Sequence, residues 1–289
     1  MSESTTDKPT KSSSPRPTFD GPTHIRHADA TLHLWGDDGS GEVADWIYVS
    51  SDKIHHLVFG LAPGQSFGHT DNYRTVFAAD ELLYVLSGTL VFINPETGEV
   101  QKAGKGEAVF FRRDTWHHAV AFGPEALRVA EFFAPPPSTG ASSAYARTKD
   151  LLIDVRHGDD RWIGSWPMAR SERAEKQTIE VIREADTLWR LDGDALCGIC
   201  VSTEHLTGGR MVVPPGGKTT EHAHQGDATL HVLEGVVNVL VKNPADGEQS
   251  WFELKPDDGF YAPEGTVFQV RNVTAENAEL LFAVAPQFG

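Results

Sequence analysis

From about Thr23 onward the chain alternates short apolar runs with turns rich in Gly, Asp and Pro, at intervals of roughly 8 to 12 residues. That spacing predicts an all-β protein of the sandwich or barrel kind. Leu57–Gly64 reads as a strand entering a turn, and Glu81–Gly88 as a run of β-forming residues closed by a glycine. Asn94-Pro95-Glu96-Thr97-Gly98 is a tight-turn sequence. Lys105–Phe111 then restarts a strand that leads through Asp114-Thr115-Trp116 to His117, and Leu127–Phe133 follows. Pro135-Pro136-Pro137-Ser138-Thr139-Gly140 breaks the rhythm and begins a linker. Beyond it, Asp150–Ala174 carries Trp162, Trp166 and Pro167, too many large rings for plain disorder, and is expected to form a packed crossover.

The second half repeats the first, which organises everything else. Ile25-Arg26-His27-Ala28-Asp29 is answered by Ile182-Arg183-Glu184-Ala185-Asp186, and Ala62-Pro63-Gly64 by Pro214-Pro215-Gly216. Tyr84-Val85-Leu86-Ser87-Gly88 is answered by His231-Val232-Leu233-Glu234-Gly235, and Asn94–Gly98 by Asn243–Gly247. Four echoes in the same order predict two tandem copies of one β-barrel. The expected boundaries are a disordered tail over 1–22, a first barrel over 23–134, a linker over 135–175 and a second barrel over 176–289.

Composition narrows the class of partner. A formal charge of −16 argues against a nucleic-acid or anionic-membrane surface. No apolar run approaches the roughly 18 residues of a membrane span. The N-terminal MSESTTDKPTKSSSPRPT has no apolar signal-peptide core, and two cysteines make no disulfide framework, so the expected compartment is the cytoplasm. Cys197-Gly198-Ile199-Cys200 has the spacing of a redox pair, but strand-like surroundings would send the two thiols to opposite faces.

A strand places residues i and i+2 on one face, so a His-x-His pair aims two imidazoles at one point. A carboxylate and a third His from neighbouring strands would complete a mixed N/O site for Fe, Mn, Ni, Zn or Cu. His222-Ala223-His224 supplies such a pair in the second copy, while the first copy offers Glu81 before Gly88 and His117 after the Lys105–Phe111 strand. These residues and their glycines resemble the two motifs of the cupin superfamily, and the repeat resembles a bicupin over most of the chain. The resemblance implies a metal ion on histidines and a glutamate from the inner wall of each barrel.

Neither copy satisfies the pattern, and they depart from it in complementary ways. In the first, His69 lies one residue early, Asp71 stands at the second His position, and Arg113-Asp114 replace the usual Pro-x-Gly. The expected site is His69, Glu81 and His117, a two-His-one-carboxylate face with open positions. Asp71 is a further ligand or a partner of one. Arg112 and Arg113 are either surface charges or a fork for a substrate carboxylate, and Arg113 is carried forward with Glu81 and His117 as catalytic. In the second copy His222 and His224 are in register, but Ala228 and Phe268 stand where the Glu and the third His belong. Asp227 or His231 are the remaining candidates there, although His231 matches Tyr84, on the wall opposite the Glu position.

The expected function is a metal-dependent dioxygenase acting in the N-terminal barrel on a small aromatic or enol- or diketone-like substrate. One divalent transition metal per chain is expected, Fe(II) ahead of Mn, Ni or Zn. The alternatives are a non-oxidative isomerase, lyase, decarboxylase or hydrolase using the metal as a Lewis acid, and a non-catalytic small-molecule-binding cupin. The expected partners are a small-molecule substrate and a second copy in a homodimer.

Overall fold

The structure is a computed structural model that describes residues 14–68, 75–94, 97–135, 146–148, 177–243 and 247–288. His69, Asp71, Tyr73 and the Asp150–Ala174 crossover lie outside the described residues. Apart from single turns of 3₁₀ helix, the described elements are strands. Among the described residues no helix is long and apolar enough to cross a membrane.

Two seven-stranded antiparallel sheets form the body. In the first, the order is Ile179–Ile182, Ala108–Phe111, Asp80–Ser87, Leu127–Ala134, His55–Leu61, Gly41–Ser50 and Thr31–Asp37. In the second it is Thr23–Ile25, Gly259–Ala262, Asp227–Glu234, Ala278–Ala285, Thr207–Val213, Ala195–Ser202 and Leu188–Asp192. The two orders correspond strand for strand, as the sequence repeat predicts. Each barrel is closed by a smaller sheet, Ser66–Phe67, His118–Ala121, Thr89–Asn94 and Glu99–Gly104 in the first, and Gln249–Leu254, Val237–Lys242 and Val267–Arg271 in the second.

The first strand of each copy is exchanged. Thr23–Ile25 pairs with Gly259–Ala262 of the second barrel, Ile25 opposite Gly259, and Ile179–Ile182 pairs with Ala108–Phe111 of the first, Ile182 opposite Ala108. The sequence boundaries at 23 and 176 therefore assign each of these strands to the barrel whose large sheet it does not join. The echoed Ile-Arg-x-Ala-Asp segments are these strands running into matching 3₁₀ turns, His27–Asp29 and Glu184–Asp186.

The central strands of the large sheets are buried on both faces, which is why they read as nearly continuous apolar runs. In Asp80–Ser87, Leu83 and Val85 join the core of the first barrel, whereas Leu82 and Tyr84 join a separate cluster between the barrels. That seam packs Tyr48, Val58, Tyr84 and Phe132 against Val201, Tyr261, Leu281 and Ala283. The backbones approach closely there: a Cβ on Gly259 would lie 2.6 Å from the Tyr48 ring.

The seam is apolar but not free of polar groups. Tyr48 donates to the Asp257 carbonyl at 2.6 Å and accepts from His27 Nδ1 at 2.8 Å. His56 stacks on Tyr48 at 4.7 Å, shares a 2.8 Å hydrogen bond with Thr229, and meets the His231 ring edge-on at 5.3 Å. Burial holds His231 down at about 4 and His56 well below its ordinary value, so both rings are neutral at pH 7. Removing the Tyr48 hydroxyl leaves a carbonyl and an imidazole without their partner. Tyr48→Phe is expected to cost about 1–2 kcal/mol in urea denaturation. An unchanged midpoint and slope would mean that the seam does not depend on this bond.

Candidate active site in the first barrel

The alternation in Asp80–Ser87 decides what enters the first barrel. Glu81 shares the inner face with Leu83 and Val85, opposite Phe111 on one neighbouring strand and Phe133 on the other. One step along, Glu131 lies opposite Leu57 and Leu83, and Asp45 lies opposite Phe59. All three carboxyls are buried, Glu81 to 1% exposure. Only Glu81 was singled out in the sequence.

Their protonation follows from that burial. The Glu81 and Glu131 carboxyls are hydrogen-bonded to each other. Desolvation, followed by the nearby Glu131 and Asp80, pushes Glu81 well above the usual carboxylate range. Glu131 is pushed up to about 8, by burial and then by Asp45, and Asp45 to about 8 by burial alone. At pH 7 this end of the barrel holds protons rather than negative charge.

His117 is held between aromatic faces. It stacks on Phe92 at 5.1 Å with the planes 16° apart, and lies 4.8 Å from Phe111 and 6.1 Å from Phe67. Its Nδ1–H donates to the Thr115 carbonyl at 3.2 Å, which fixes the tautomer and leaves Nε2 as the basic nitrogen. Burial lowers its pKa to about 4. The Arg113-Asp114 turn does not disturb the approach. Asp114 takes the left-handed conformation (φ 67°) that Gly265 takes (φ 77°) in the second copy, three residues before His117 and Phe268 respectively. Phe111 connects the two candidates, as the cross-strand neighbour of Glu81 and a ring contact of His117.

His55 also faces this interior, edge-on to Phe133 at 5.4 Å, while His56 turns to the seam. Its Nδ1 is buried with no hydrogen-bond partner among the described residues, and burial lowers its pKa to about 3. Adjacent residues of a strand face opposite ways, so only one of the two histidines can enter the barrel.

The donor set suits a metal ion in part. Glu81 Oε2 is buried with no hydrogen-bond partner among the described residues, and His117 presents a neutral imidazole of fixed tautomer. Among the described residues, however, no three His, Cys, Asp or Glu side chains are grouped so as to hold an ion. The third expected donor, His69, lies outside the described residues.

Of the arginines, Arg112 is not available to a substrate. It forks onto Glu204 of the second barrel and reaches Asp80 at 3.1 Å, while Thr203 donates to the other Asp80 oxygen at 2.7 Å. It ties the two barrels beside Glu81. Arg113 is exposed in the turn that precedes His117.

In the second barrel, the equivalent of Glu81 is Ala228, opposite Ala262 and Val284, and the equivalent of His117 is Phe268. His222 and His224 do come together, their rings 5.1 Å apart and 20° from parallel. Neither sequence candidate completes them. Asp227 is turned outward, accepting from Tyr261 at 2.7 Å and the Glu264 amide at 3.0 Å, and His231 sits in the seam. The carboxylate that reaches His222, at 2.8 Å, is Asp192 from the edge strand. Against the burial that would raise it, hydrogen bonds from His222 and Thr220 hold Asp192 at about 2. Asp192 stands where the first copy has Trp35, and nothing in the sequence marks it as a partner of His222. The thiols part as expected, Cys197 into the barrel and Cys200 toward the seam, and burial raises both.

The chain belongs to the cupin family: the Cupin domain matches residues 57–133 and again residues 209–284, together more than half of the sequence. With two such barrels it is a bicupin. No curated protein matches it in sequence. Among solved structures it is similar to the oxalate decarboxylase of Lactobacillus farciminis, in a formate complex, at 13% identity and TM-score 0.62, covering 94% of this chain and 88% of that one. The oxalate decarboxylase from Bacillus subtilis at pH 4.6 aligns at 14% identity and TM-score 0.61, over 93% and 76%. AerE from Microcystis aeruginosa aligns at 12% identity and TM-score 0.57, over 89% and 97%. At these identities the likeness establishes the fold.

The buried carboxyls give a test in which the sign is fixed. Asp45 has a folded pKa near 8 against 3.8 ordinarily, so its contribution to stability is intact below about pH 4 and is lost as pH rises through 8. Asp45→Asn carries no such loss. With chelator present, the variant should gain on the parent by on the order of 3 kcal/mol between pH 5 and 9 in denaturant titrations. A constant difference across that range would show that Asp45 is ionised throughout.

Proposed function

We propose that the chain is a metal-dependent, non-oxidative enzyme, a lyase that releases carbon dioxide from a small carboxylic acid in its first barrel. The observation that carries this reading is the contrast between the barrels. The first keeps Glu81 and His117 around one ring, Phe111, where the second has Ala228 and Phe268. The fold shared with two proteins named as oxalate decarboxylases favours the non-oxidative alternative over the dioxygenase expected from the sequence.

In this reading Glu81 and His117, with His69, hold one divalent transition ion, Fe(II), Mn, Ni or Zn. When bound, the ion acts as a Lewis acid that draws charge from the substrate's carboxylate oxygens. The protein's own contribution is the surrounding wall. Phe92, Phe111 and Phe133 exclude water, and Nδ1 of His117 is anchored on the Thr115 carbonyl so that the ring keeps one orientation. Burial keeps the hydrogen-bonded Glu81–Glu131 pair protonated, which makes Glu131 a group able to keep or release a proton inside the barrel. Arg113, exposed at the turn before His117, is a cation able to orient a substrate carboxylate.

The test is carbon dioxide release from oxalate, malonate and related acids by protein purified without chelators, followed together with dissolved oxygen. Carbon dioxide should appear with no net consumption of oxygen. Glu81→Gln and His117→Ala should each lower turnover at least about 1,000-fold while leaving the thermal unfolding cooperative. Oxygen consumed in proportion to product would move the protein to the oxygenases, and full turnover in both variants would remove the site.

A further inference from the structure

The second barrel has lost two metal-ligand positions, yet its mouth is open and lined for binding. A cavity of about 480 Å³ lies there, bounded by Arg190, Ile199, Ser202, Thr207, Gln287 and Phe288. Strand parity places Arg190 in it. Trp189 lies against the guanidinium of Arg210 at 5.1 Å, which puts it on the outer face of the edge strand. Arg190 therefore falls on the inner side, opposite Cys197, which belongs to the barrel core, and in line with Asp192 beside His222.

The charges around this cavity are committed, except that of Arg190. Glu204 at the rim is forked by Arg112, and Asp192 is paired with His222. Arg190 has no carboxylate within ion-pair distance among the described residues. Two hydroxyls complete the polar side: Ser202 and Thr207 share a hydrogen bond of 2.9 Å and keep capacity for another acceptor or donor. The apolar side is Ile199 and Phe288. The floor is Phe288 itself, whose ring lies 4.8 Å from His224 and 5.9 Å from Phe282. It separates the cavity from the histidine pair.

The geometry points to a metal-independent binding site for a small organic monocarboxylate in the mouth of the second barrel, with Arg190 as its anchor. A guanidinium takes a carboxylate through two parallel N–H bonds, and the hydroxyl pair offers a further donor. Ile199 and Phe288 face the hydrocarbon part. A single cation beside Glu204 favours one negative charge over a phosphate dianion. The site binds without chemistry, and its occupancy is separate from events at Glu81 and His117.

Benzoate is the probe, titrated into the full chain and followed by calorimetry and by amide chemical shifts. Binding in the millimolar range or tighter is expected, with shifts at Ser202, Thr207 and Phe288. Benzamide, of the same shape without the charge, should bind at least tenfold more weakly. Arg190→Gln should weaken benzoate at least tenfold, and Arg190→Lys should restore part of the loss. Equal binding of benzoate and benzamide, unchanged affinity in Arg190→Gln, or no binding at about 50 mM benzoate would each overturn the assignment. Shifts confined to the neighbourhood of His117 would do the same, since they would place benzoate in the first barrel.

Discussion

A strand shows its side chains alternately to two faces, and in the central strands of each large sheet both faces are buried, one in a barrel and one in the seam between barrels. Everything else follows from that constraint. Moving one residue along Asp80–Ser87 changes the destination from the interior, where Glu81 lies, to the seam, where Leu82 packs. Because neither face of these central strands meets water, each polar residue on them must find a partner or give up its charge. The first barrel does both: Glu81 and Glu131 share a hydrogen bond, and the buried carboxyls and imidazoles stay neutral. In the seam, Tyr48 bonds the Asp257 carbonyl and His56 bonds Thr229, the two rings stacked among apolar neighbours.

The repeat, the strands and the inward placement of Glu81 and His117 were legible in the sequence. Turn residues and β-forming runs mark them locally, and matched spacing extends that to two copies. What escaped was non-local. Glu131 and Asp45 sit in runs where burial on both faces erases the polar alternation that would reveal parity. The exchange of first strands joins Ile25 to Gly259, a pairing that no short-range pattern encodes. Arg112 stood as either a surface charge or a substrate fork because its partners, Asp80 and Glu204, lie on different barrels. Asp192 lies on an edge strand outside both motifs, and only the tertiary fold brings it to His222.

The copies have diverged at corresponding positions with a consistent physical direction. The interior of the first barrel is rich in titratable groups around Phe111 and Phe133. In the second, Ala228 and Phe268 replace a carboxylate and an imidazole, and Phe288 covers His224. An apolar ring beside the histidine pair disfavours a desolvated ion, while Asp192 already lies 2.8 Å from His222 Nε2. Polarity in the second barrel has moved outward to Arg190 and the Ser202–Thr207 pair. Titratable side chains thus line the interior of the first barrel, and apolar ones take the corresponding positions in the second.

That division is tested most directly by counting metal. Protein purified without chelators and assayed by elemental analysis should carry about one equivalent of transition metal per chain, and His222→Ala should retain it. Two equivalents in the parent, or a single equivalent that disappears in His222→Ala, would place the metal in the second barrel and contradict the account.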